Sequence, residues 1–400
     1  MTKGVGGSTA EIELSKLSDM TGGTSPITAA EYQNRIDKAQ ALMREQGLSA
    51  IYLDAGSNLR YFTGLQWRGS ERMVGAVLLT QGEPQFIAPV FEIGTLEQFM
   101  IIKGPVHGWE EHESPYPLLS TLVTSGRIGI DESTPYFISD GLAKANPALS
   151  FESATPVTRT CRQQKSAHEL ALMTRAKEMT LAVQKAAAAI MREGITSAEV
   201  GDFLDAAHRK VGAPKGSYFK IVLFGPDSSY PHGVREHKPL EQGDMVLIDT
   251  GCQCHDYISD ITRSYVFGTP SPEQRRVWES EKRAQLAAFH AAKIGVRCGD
   301  ADLAARASLE ADGFGPGYKT PGLPHRTGHG IGLDIHEWPY LNWGDDTPLA
   351  PGMCFSSEPM ICKYGEFGVR LEDHFYMTET GPKWFTPPSH SIDDPFKGVN

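Results

Sequence analysis

The chain lacks any continuous apolar run of the roughly 20 residues that a membrane-spanning helix needs. Its first 20 residues contain no apolar core of the kind found in signal peptides. Positive charge is also in short supply, with 38 lysines and arginines against 49 acidic residues and a net charge of −11. Because nucleic-acid binding requires a basic surface, we expect a cytoplasmic protein that binds neither membranes nor nucleic acids.

Cysteine is sparse, and its six residues are spread along the chain at Cys161, Cys252, Cys254, Cys298, Cys354 and Cys362. In a reducing compartment they are expected to be free thiols. Cys252 and Cys254 form a C-x-C pair, which raises the alternative of a thiolate metal site, but no second Cys or His pair lies near them at the short spacing of a zinc site. We therefore interpret both as packing residues.

The length of 400 residues fits two domains, and a 40% hydrophobic fraction is typical of a folded protein. Residues 1–26 are rich in Gly, Ser and Thr and predict a flexible leader. Over residues 27–160, helical patterns alternate with short apolar segments such as SAIYLD and VGAVLLT, which indicates a smaller α/β domain. The polar stretch TRTCRQQKS marks a boundary, and residues 161–400 form the second domain.

The second domain begins with clear helix signals. Ser166 with Glu169 and Thr196 with Glu199 each have the spacing of a capping box, and Ser271-Pro272 starts a third helix. A fourth helix is expected from about 300 to 313. The strand-like segments MVLIDTG, DITRSYVF, MCFSSEP and GVRLEDHFYMT are grouped apart from these helices, so we predict an α+β domain.

Acidic residues in these strand-like segments suggest a buried metal site. If MVLIDTG and YISDITRSY are neighbouring antiparallel strands, Asp249 and Asp260 project into the same cavity. Each carboxylate taken alone is more simply a turn, a cap or a surface charge. Glu372 is the exception, because a carboxylate in the middle of the apolar strand VRLEDHFYM is costly to bury unless it is paired or bound to metal.

His329 lies in the glycine-rich segment GHGIG. A phosphate-binding loop is one alternative, but the G-x-G-x-x-G spacing is absent and no P-loop lysine follows. A lone structural histidine is the other, and it is weakened because His325 and His336 lie close to His329 in the sequence. His232, in YPHGV, is a further candidate.

Five motifs together resemble those of the pita-bread metallopeptidases, a family that includes methionine aminopeptidases, aminopeptidase P and prolidases. They are PHG at 231–233, DTG…SDITRS at 249–264, HRTGHGIGLDIHEWP at 325–339, SSEPM at 356–360 and VRLED at 369–373. The segment GHGIGLDIHEWP is most similar to bacterial and archaeal Xaa-Pro dipeptidases. The resemblance implies a C-terminal pita-bread fold, a smaller creatinase-like N-terminal α/β domain and a homodimer.

The resemblance also implies a ligand set for two divalent metal ions: Asp249, Asp260, His329, Glu358 and Glu372. Asp260 and Glu372 would bridge the ions, with Asp249 on one ion and His329 and Glu358 on the other. A site made mostly of carboxylates suits Mn²⁺, with Co²⁺, Zn²⁺ and Fe²⁺ as alternatives. A hydroxide activated by the two ions would then cleave the Xaa-Pro bond of dipeptides.

The same resemblance suggests roles for the neighbouring residues. Glu358 would also shuttle the proton, His232 and His336 would hydrogen-bond the tetrahedral intermediate, and His325 would line the pocket of the leaving residue. Arg370 would hold the bridging Glu372.

Tyr340 departs from the family pattern at the expected substrate-binding site. Archaeal prolidases follow HEWP with an arginine that suits the substrate carboxylate, and no Arg or Lys lies between His336 and Glu358 here. Arg68 or Arg72, in WRGSER, is the predicted substitute. The alternatives are an aminopeptidase P that acts on longer peptides, a lyase-type relative, and a non-catalytic binding protein on the same fold.

Overall fold

The structure, a computed structural model, describes residues 1–399 and divides into two compact units. The smaller unit is Pro26–Arg162, and the larger unit joins Met1–Ser25 to the chain from Gln163 onward. Within residues 1–399, no helix combines the length and apolar character needed to cross a membrane.

The first 25 residues are folded into the larger unit, so the prediction of a flexible leader is wrong. They contain a helix, α1 (Ala10–Lys16), whose N-cap Thr9 accepts a hydrogen bond from the backbone N–H of Ile12. The backbone N–H of Thr2 donates to the Gly268 carbonyl at 2.7 Å, and that of Gly6 donates to the Ala188 carbonyl at 2.8 Å. These partners are distant in sequence, and a local reading of a Gly/Ser/Thr-rich segment cannot detect them.

The smaller unit is built on one mixed six-stranded sheet, as expected for an α/β domain. Its helices are α2 (Ala29–Gln46), α3 (Ser57–Thr63), α4 (Ile93–Phe99), α5 (Leu118–Leu122), α6 (Tyr136–Ala145) and α7 (Thr155–Arg162). Its strands are β1 (Ala50–Asp54), β2 (Gly75–Leu79), β3 (Gln85–Pro89), β4 (Val106–Trp109), β5 (Gly126–Ile130) and β6 (Leu149–Ser153). The strand order is β4-β3-β2-β1-β5-β6, with β1–β2 and β2–β3 antiparallel and the other pairs parallel.

The larger unit has four long helices, of which the first three begin where the capping signals predict and the fourth begins two residues before the expected position. They are α8 (Ala167–Ala189), α9 (Ser197–Lys210), α10 (Pro272–Ala291) and α11 (Cys298–Ala311). Ser166 with Glu169 and Thr196 with Glu199 form complete capping boxes, which confirms both predictions. These caps satisfy backbone donors that the first helical turn leaves unpaired.

The strands of the larger unit form four small antiparallel sheets. They are β7 (Phe219–Phe224), β8 (Met245–Gly251), β9 (Gln253–Cys254), β10 (Tyr257–Ile258), β11 (Ile261–Val266), β12 (Gly328–Gly330), β13 (Glu337–Leu341), β14 (Cys354–Ser357), β15 (Met360–Lys363), β16 (Phe367–Arg370), β17 (Asp373–Thr378) and β18 (Gly381–Trp384). The two larger sheets have the orders β11-β8-β7 and β13-β12-β14-β17-β18. The prediction of an α+β second domain is confirmed.

One apolar core joins these sheets to the helices α10 and α11. Leu247 on β8 and Phe355 on β14 belong to the same buried cluster as Ala288 on α10 and Ala305 on α11. Burial of such side chains contributes on the order of 25 cal/mol per Å² of apolar surface removed from water. This core gives the sheet ends that carry the acidic residues a rigid base.

The segment GVRLEDHFYMT is two strands rather than the one that was predicted. Strand β16 ends at Arg370, and β17 begins at Asp373 in a different sheet. Glu372 lies in the step between them, where its backbone N–H donates to the Thr262 carbonyl at 3.1 Å. The apolar pattern is continuous across the step because both strands are buried, so the pattern conceals the break.

Candidate metal centre

Asp260, His329 and Glu372 converge where strands of three sheets meet. One potential ligand atom from each lies within 4.8 Å of the others, and all three residues are buried. Asp260 directly precedes β11, His329 is the middle residue of β12, and Glu372 stands between β16 and β17. The His329 Nε2 atom is 3.6 Å from Asp260 Oδ2 and 3.9 Å from Glu372 Oε1.

The two remaining predicted ligands lie next to this group. Glu358 follows β14 and brings its Oε1 atom to 3.2 Å from His329 Nε2. Asp249 lies on β8, which pairs with β11 in antiparallel register with Asp249 opposite Thr262. The structure therefore brings Asp249 and Asp260 together as the strand argument predicted.

Several oxygens of this cluster have no hydrogen-bond partner within residues 1–399, although they are buried. They are Asp249 Oδ1, Asp260 Oδ1 and Glu372 Oε1. An unpaired buried polar atom costs roughly 1–3 kcal/mol, and more for a charged group. Oxygen ligands directed at a common space are what hard divalent cations require, so the residues present fit a metal centre.

The charges and pKa values of the cluster also favour a bound cation. Burial raises the pKa of Asp260 well above its ordinary value, and repulsion from Glu372 and Asp249 adds to the effect. Burial and the negative charges of Glu358 and Asp249 likewise raise the pKa of Glu372. Burial would also raise the pKa of Glu358, but the adjacent His329 together with His325 and Arg370 outweighs it and lowers the pKa. Positive charge is needed if all these carboxylates are to ionise together.

The backbone around His329 fixes the orientation of its ring. Its Nδ1 atom lies 2.8 Å from the Gly330 carbonyl oxygen, which leaves Nε2 to face the carboxylates. The backbone N–H of His329 donates to Ser356 Oγ at 2.8 Å. At Gly328 a Cβ atom would come within 2.0 Å of the Ser356 carbonyl oxygen, so only glycine lets β12 approach β14 this closely.

Arg370 contacts a different carboxylate from the one predicted. Its Nη2 atom donates to Asp249 Oδ2, and its Nε donates to Thr262 Oγ1 at 3.0 Å. The Thr262 hydroxyl in turn donates to Glu372 Oε2 at 2.9 Å. Arg370 therefore reaches Glu372 through Thr262, because the chain turns at Leu371 and the two side chains do not share a strand face.

Arg263, which the sequence reasoning missed, hydrogen-bonds the backbone of Glu372 and the side chain of the next residue, Asp373. Its side chain is fully buried; Nη1 donates to the Glu372 carbonyl at 3.0 Å and Nη2 donates to Asp373 Oδ1 at 2.7 Å. Gln285 Nε2 donates a hydrogen bond of 3.0 Å to the other carboxylate oxygen of Asp373, Oδ2. The signal was present, since an arginine inside the otherwise buried strand ITRSYV requires a buried acceptor.

His374 and Lys177 are two further buried groups near the cluster that the sequence reasoning missed. His374 Nε2 lies 3.9 Å from Glu372 Oε1. Lys177, on α8, is fully buried with its Nζ atom 3.4 Å from the Ile258 carbonyl oxygen. Burial lowers the pKa of Lys177 to about 8, although the negative charge nearby opposes this.

A cleft of about 520 Å³ opens beside the metal centre. Three of the predicted histidines line it together with Glu358 and Arg370: His232, His325 and His336. The ring centroids of His336 and His329 are 4.2 Å apart. One side of His336 is open to solvent, yet desolvation by the cleft, helped by the charges of His329 and Arg326, lowers its pKa to about 4.

A buried ion pair holds the segment that precedes His336. Glu337 Oε1 accepts hydrogen bonds from the backbone N–H groups of Leu333 and Asp334 at 2.8 and 3.1 Å. Its Oε2 accepts one from Lys165 Nζ at 2.9 Å. The loop between His329 and His336 is thereby closed onto β13.

The other predicted substrate-binding residues do not lie in this cleft. Tyr340 lies on β13, where it pairs with His329. The centroid of its ring is 4.2 Å from the guanidinium carbon of Arg326. Arg72, in the smaller unit, donates to Glu111 Oε1 at 2.8 Å. Arg68 lines a separate hollow of the smaller unit, of about 390 Å³, beside Trp67. Substrate binding by Arg68 or Arg72 stays a prediction.

The cysteines play no visible part in the centre. All six are buried and free, as predicted. Burial raises the pKa of Cys252 to about 11, and its Sγ atom packs 3.6 Å from the Ala176 carbonyl oxygen. A thiol this hard to ionise is a poor metal ligand, which favours the packing interpretation.

A fold with a creatinase-like first unit and a buried carboxylate-histidine cluster in its second defines a metallopeptidase class. Residues 171–379 match the Metallopeptidase family M24, and residues 35–164 match the Creatinase/Prolidase N-terminal domain. The chain belongs to metallopeptidase family M24 and is a peptidase with the pita-bread fold, as the sequence motifs predicted.

Relatives of known name cover almost the whole chain. An Xaa-Pro dipeptidase from Pyrococcus furiosus is 30% identical over 360 residues, which is 90% of this chain and 99% of that protein. The crystal structure of dipeptidase PepE from Mycobacterium ulcerans is similar with a TM-score of 0.85 and 32% identity, covering 93% of this chain and 100% of that one. Prolidase from Thermococcus sibiricus has a TM-score of 0.81 and 30% identity, covering 89% and 97%.

Proposed function

We propose that this chain is an Xaa-Pro dipeptidase whose centre holds two divalent cations, preferably Mn²⁺. The observation that carries the proposal is the convergence of buried, unpartnered carboxylate oxygens with His329 beside a cleft lined by histidines. Asp249, Asp260, His329, Glu358 and Glu372 would hold the ions. When bound, the cations would polarise the scissile carbonyl and acidify a water molecule.

Glu358 would move the proton in this reaction. It is half-buried, lines the cleft and lies at hydrogen-bond distance from His329 Nε2. Its carboxylate would accept the proton that the attacking water loses and deliver it to the prolyl nitrogen as the bond breaks. A hydrogen bond of 3.2 Å from Ser356 Oγ holds its Oε1 in place.

His232 and His336 would stabilise the tetrahedral intermediate. Both line the cleft beside Glu358, and a ring N–H from each would donate to the oxygens of the intermediate as negative charge develops there. His325, whose Nε2 atom is buried and without a partner within residues 1–399, would line the pocket for the leaving residue. Its ring is held by the hydrogen bond of 2.7 Å between Nδ1 and the Arg326 carbonyl oxygen.

The proline preference would follow from shape and from the missing amide proton. The bond before proline is a tertiary amide with no N–H, so a cleft that offers no acceptor at that position accepts proline without loss. A volume of about 520 Å³ matches a small ligand, which favours dipeptides over long chains. We also propose a homodimer, which sedimentation equilibrium would test.

The experiment compares Xaa-Pro with Xaa-Ala and Xaa-Pro-Yaa as substrates of the chelated protein resupplied with Mn²⁺. We expect Xaa-Pro to have the highest kcat/KM. A preference for Xaa-Pro-Yaa would instead favour the aminopeptidase alternative, for which Tyr340 in place of arginine is the specific observation. Activity that saturates after one equivalent of Mn²⁺ would contradict the two-cation proposal.

A further inference from the structure

Arg326 is a cation of the cleft that no carboxylate engages. Two arginines line this cleft, and Arg370 is bound to Asp249. The half-buried Arg326 has no carboxylate within 4.0 Å among residues 1–399. Its charge is therefore available to a ligand, whereas that of Arg370 is already used.

The guanidinium of Arg326 is held against an aromatic face. Its central carbon lies 4.2 Å from the ring centroid of Tyr340, a distance typical of a cation–π contact. Stacking occupies the flat face of the group and leaves the N–H edges in its plane free to donate. Tyr340 is itself fixed, because its backbone N–H donates to Asp345 Oδ2 at 2.9 Å and its residue pairs with His329 in the β12–β13 ladder.

The backbone on both sides of Arg326 is anchored by one buried ion pair. Asp302 Oδ1 accepts from the backbone N–H and the hydroxyl of Thr327 at 3.0 and 2.6 Å. Arg306 Nη2 donates to the His325 carbonyl at 2.5 Å, and its Nε donates to Asp302 Oδ2 at 2.9 Å. Arg326 thus projects from a segment whose position is set before any ligand arrives.

We propose that Arg326 is the residue that binds the C-terminal carboxylate of the substrate, with Tyr340 positioning its guanidinium. This inference rests on the proposed dipeptidase function and makes its specificity concrete. A planar guanidinium with free N–H edges can bind a carboxylate through two parallel hydrogen bonds. Tyr340, at the place where archaeal prolidases have an arginine, would then orient the substitute cation instead of leaving the subsite uncharged.

The test is the response of KM to the charge at the C-terminus of the substrate. In Arg326→Ala, we expect KM for Xaa-Pro to rise by about 10- to 100-fold, the scale of a hydrogen bond to a charged group. The value of kcat should change by less than about twofold, because the lost binding is uniform between ground and transition states. With an Xaa-Pro amide, which lacks the carboxylate, the variant and the unmodified protein should have the same KM.

Two further variants separate charge from shape. Arg326→Lys keeps the charge without the planar fork and should show an intermediate KM. Tyr340→Leu removes the stacking ring and should raise KM severalfold for the acid but not for the amide. The matched control is Arg276→Ala, which removes an exposed guanidinium stacked on Phe314 at 4.8 Å, away from the cleft-lining residues, and should leave KM unchanged.

A binding measurement gives a readout that does not depend on turnover. Calorimetry with L-proline and prolinamide should show that the unmodified protein prefers L-proline and that Arg326→Ala loses this preference. Equal KM values for Xaa-Pro in Arg326→Ala and in the unmodified protein would overturn the inference and leave the dipeptidase proposal intact. If the unmodified protein cleaved Xaa-Ala and Xaa-Pro equally well, the proposed proline preference would fail, whereas the acid-versus-amide difference would still decide the role of Arg326.

Discussion

Arg370 donates a hydrogen bond to Asp249, and both side chains are buried. The same guanidinium donates to the Pro231 carbonyl at 3.1 Å, so it ties the candidate metal centre to the segment that carries His232. Burial alone would lower the pKa of Arg370, but the surrounding carboxylates raise it, so the group stays charged. Arg370 therefore offsets part of the negative charge of the carboxylates and also orients Asp249, a predicted metal ligand.

Replacing Arg370 should weaken metal binding without unfolding the protein. In Arg370→Lys we expect the affinity for Mn²⁺ to fall by about 10- to 100-fold, because lysine cannot bind Asp249, Thr262 and Pro231 at once. Titration calorimetry of the chelated protein with Mn²⁺ measures this directly. Unchanged affinity, with the thermal midpoint also unchanged, would show that Arg370 does not orient Asp249.

Removal of the metal should abolish activity and preserve the fold. The core around α10, α11 and the sheets is large enough to stand without the ions, unlike that of a zinc finger. Chelation should leave the far-UV circular dichroism spectrum intact while lowering the thermal midpoint, since a ligand of the native state stabilises it. Full turnover by rigorously metal-free protein would exclude the proposed mechanism.

Glu358→Gln should be nearly inactive although it is folded. The amide keeps the shape of the side chain but removes a negative charge from the centre and the proton acceptor from the cleft. Circular dichroism checks the fold, and initial rates with Xaa-Pro check the activity. Retention of more than about a tenth of the normal kcat would assign the proton transfer to another group.

His336→Ala tests the role of the cleft histidines. Loss of one donor to the tetrahedral intermediate typically lowers kcat by about 100-fold or more. The binding of Mn²⁺ should change little, because His336 is not among the predicted ligands. Normal turnover in this variant would reduce His336 to a structural residue.

His208, on α9, should make the stability of the larger unit depend on pH. Burial lowers its pKa from the ordinary 6.5 to about 4, and its Nδ1 and Nε2 atoms lie 2.8 and 3.2 Å from the hydroxyls of Ser217 and Thr180. Between pH 6.5 and 4 the unfolded state binds the extra proton, so stability falls as pH falls through this window and is fully present above it. The slope contributed by one such group is at most about 1.4 kcal/mol per pH unit.

The measurement is the difference between the thermal midpoints of His208→Gln and the unmodified protein at several pH values. Glutamine retains hydrogen-bonding capacity and does not titrate, so it removes this contribution while other groups are held constant. The difference should shift in favour of the variant as pH falls from 7 towards 4. A difference that is independent of pH would show that His208 is protonated in the folded state or accessible to solvent.

Local signals in the sequence were sufficient for features that depend on nearby residues. The capping boxes of α8 and α9 are such features, because the cap and its partner lie three residues apart. The antiparallel pairing of β8 with β11 was a hypothesis drawn from two apolar segments that lie close in the sequence, and the structure confirms it. The acidic residues and His329 could be proposed as one centre because their motifs occur together and in the order of a known family.

From the sequence alone, the family and the candidate ligands could be predicted because five motifs resemble those of a known family, and the two-domain composition because of the chain length and the alternation of helical and apolar segments. Only the tertiary structure decided that residues 1–25 belong to the larger unit and that Glu372 lies between two sheets. It also decided that Arg370 donates a hydrogen bond to Asp249. It also placed Arg326 over Tyr340 at the cleft, with no carboxylate of residues 1–399 within 4.0 Å of its guanidinium. These relationships join residues far apart in the chain, and their geometry is set by how sheets and helices pack, which no local pattern encodes.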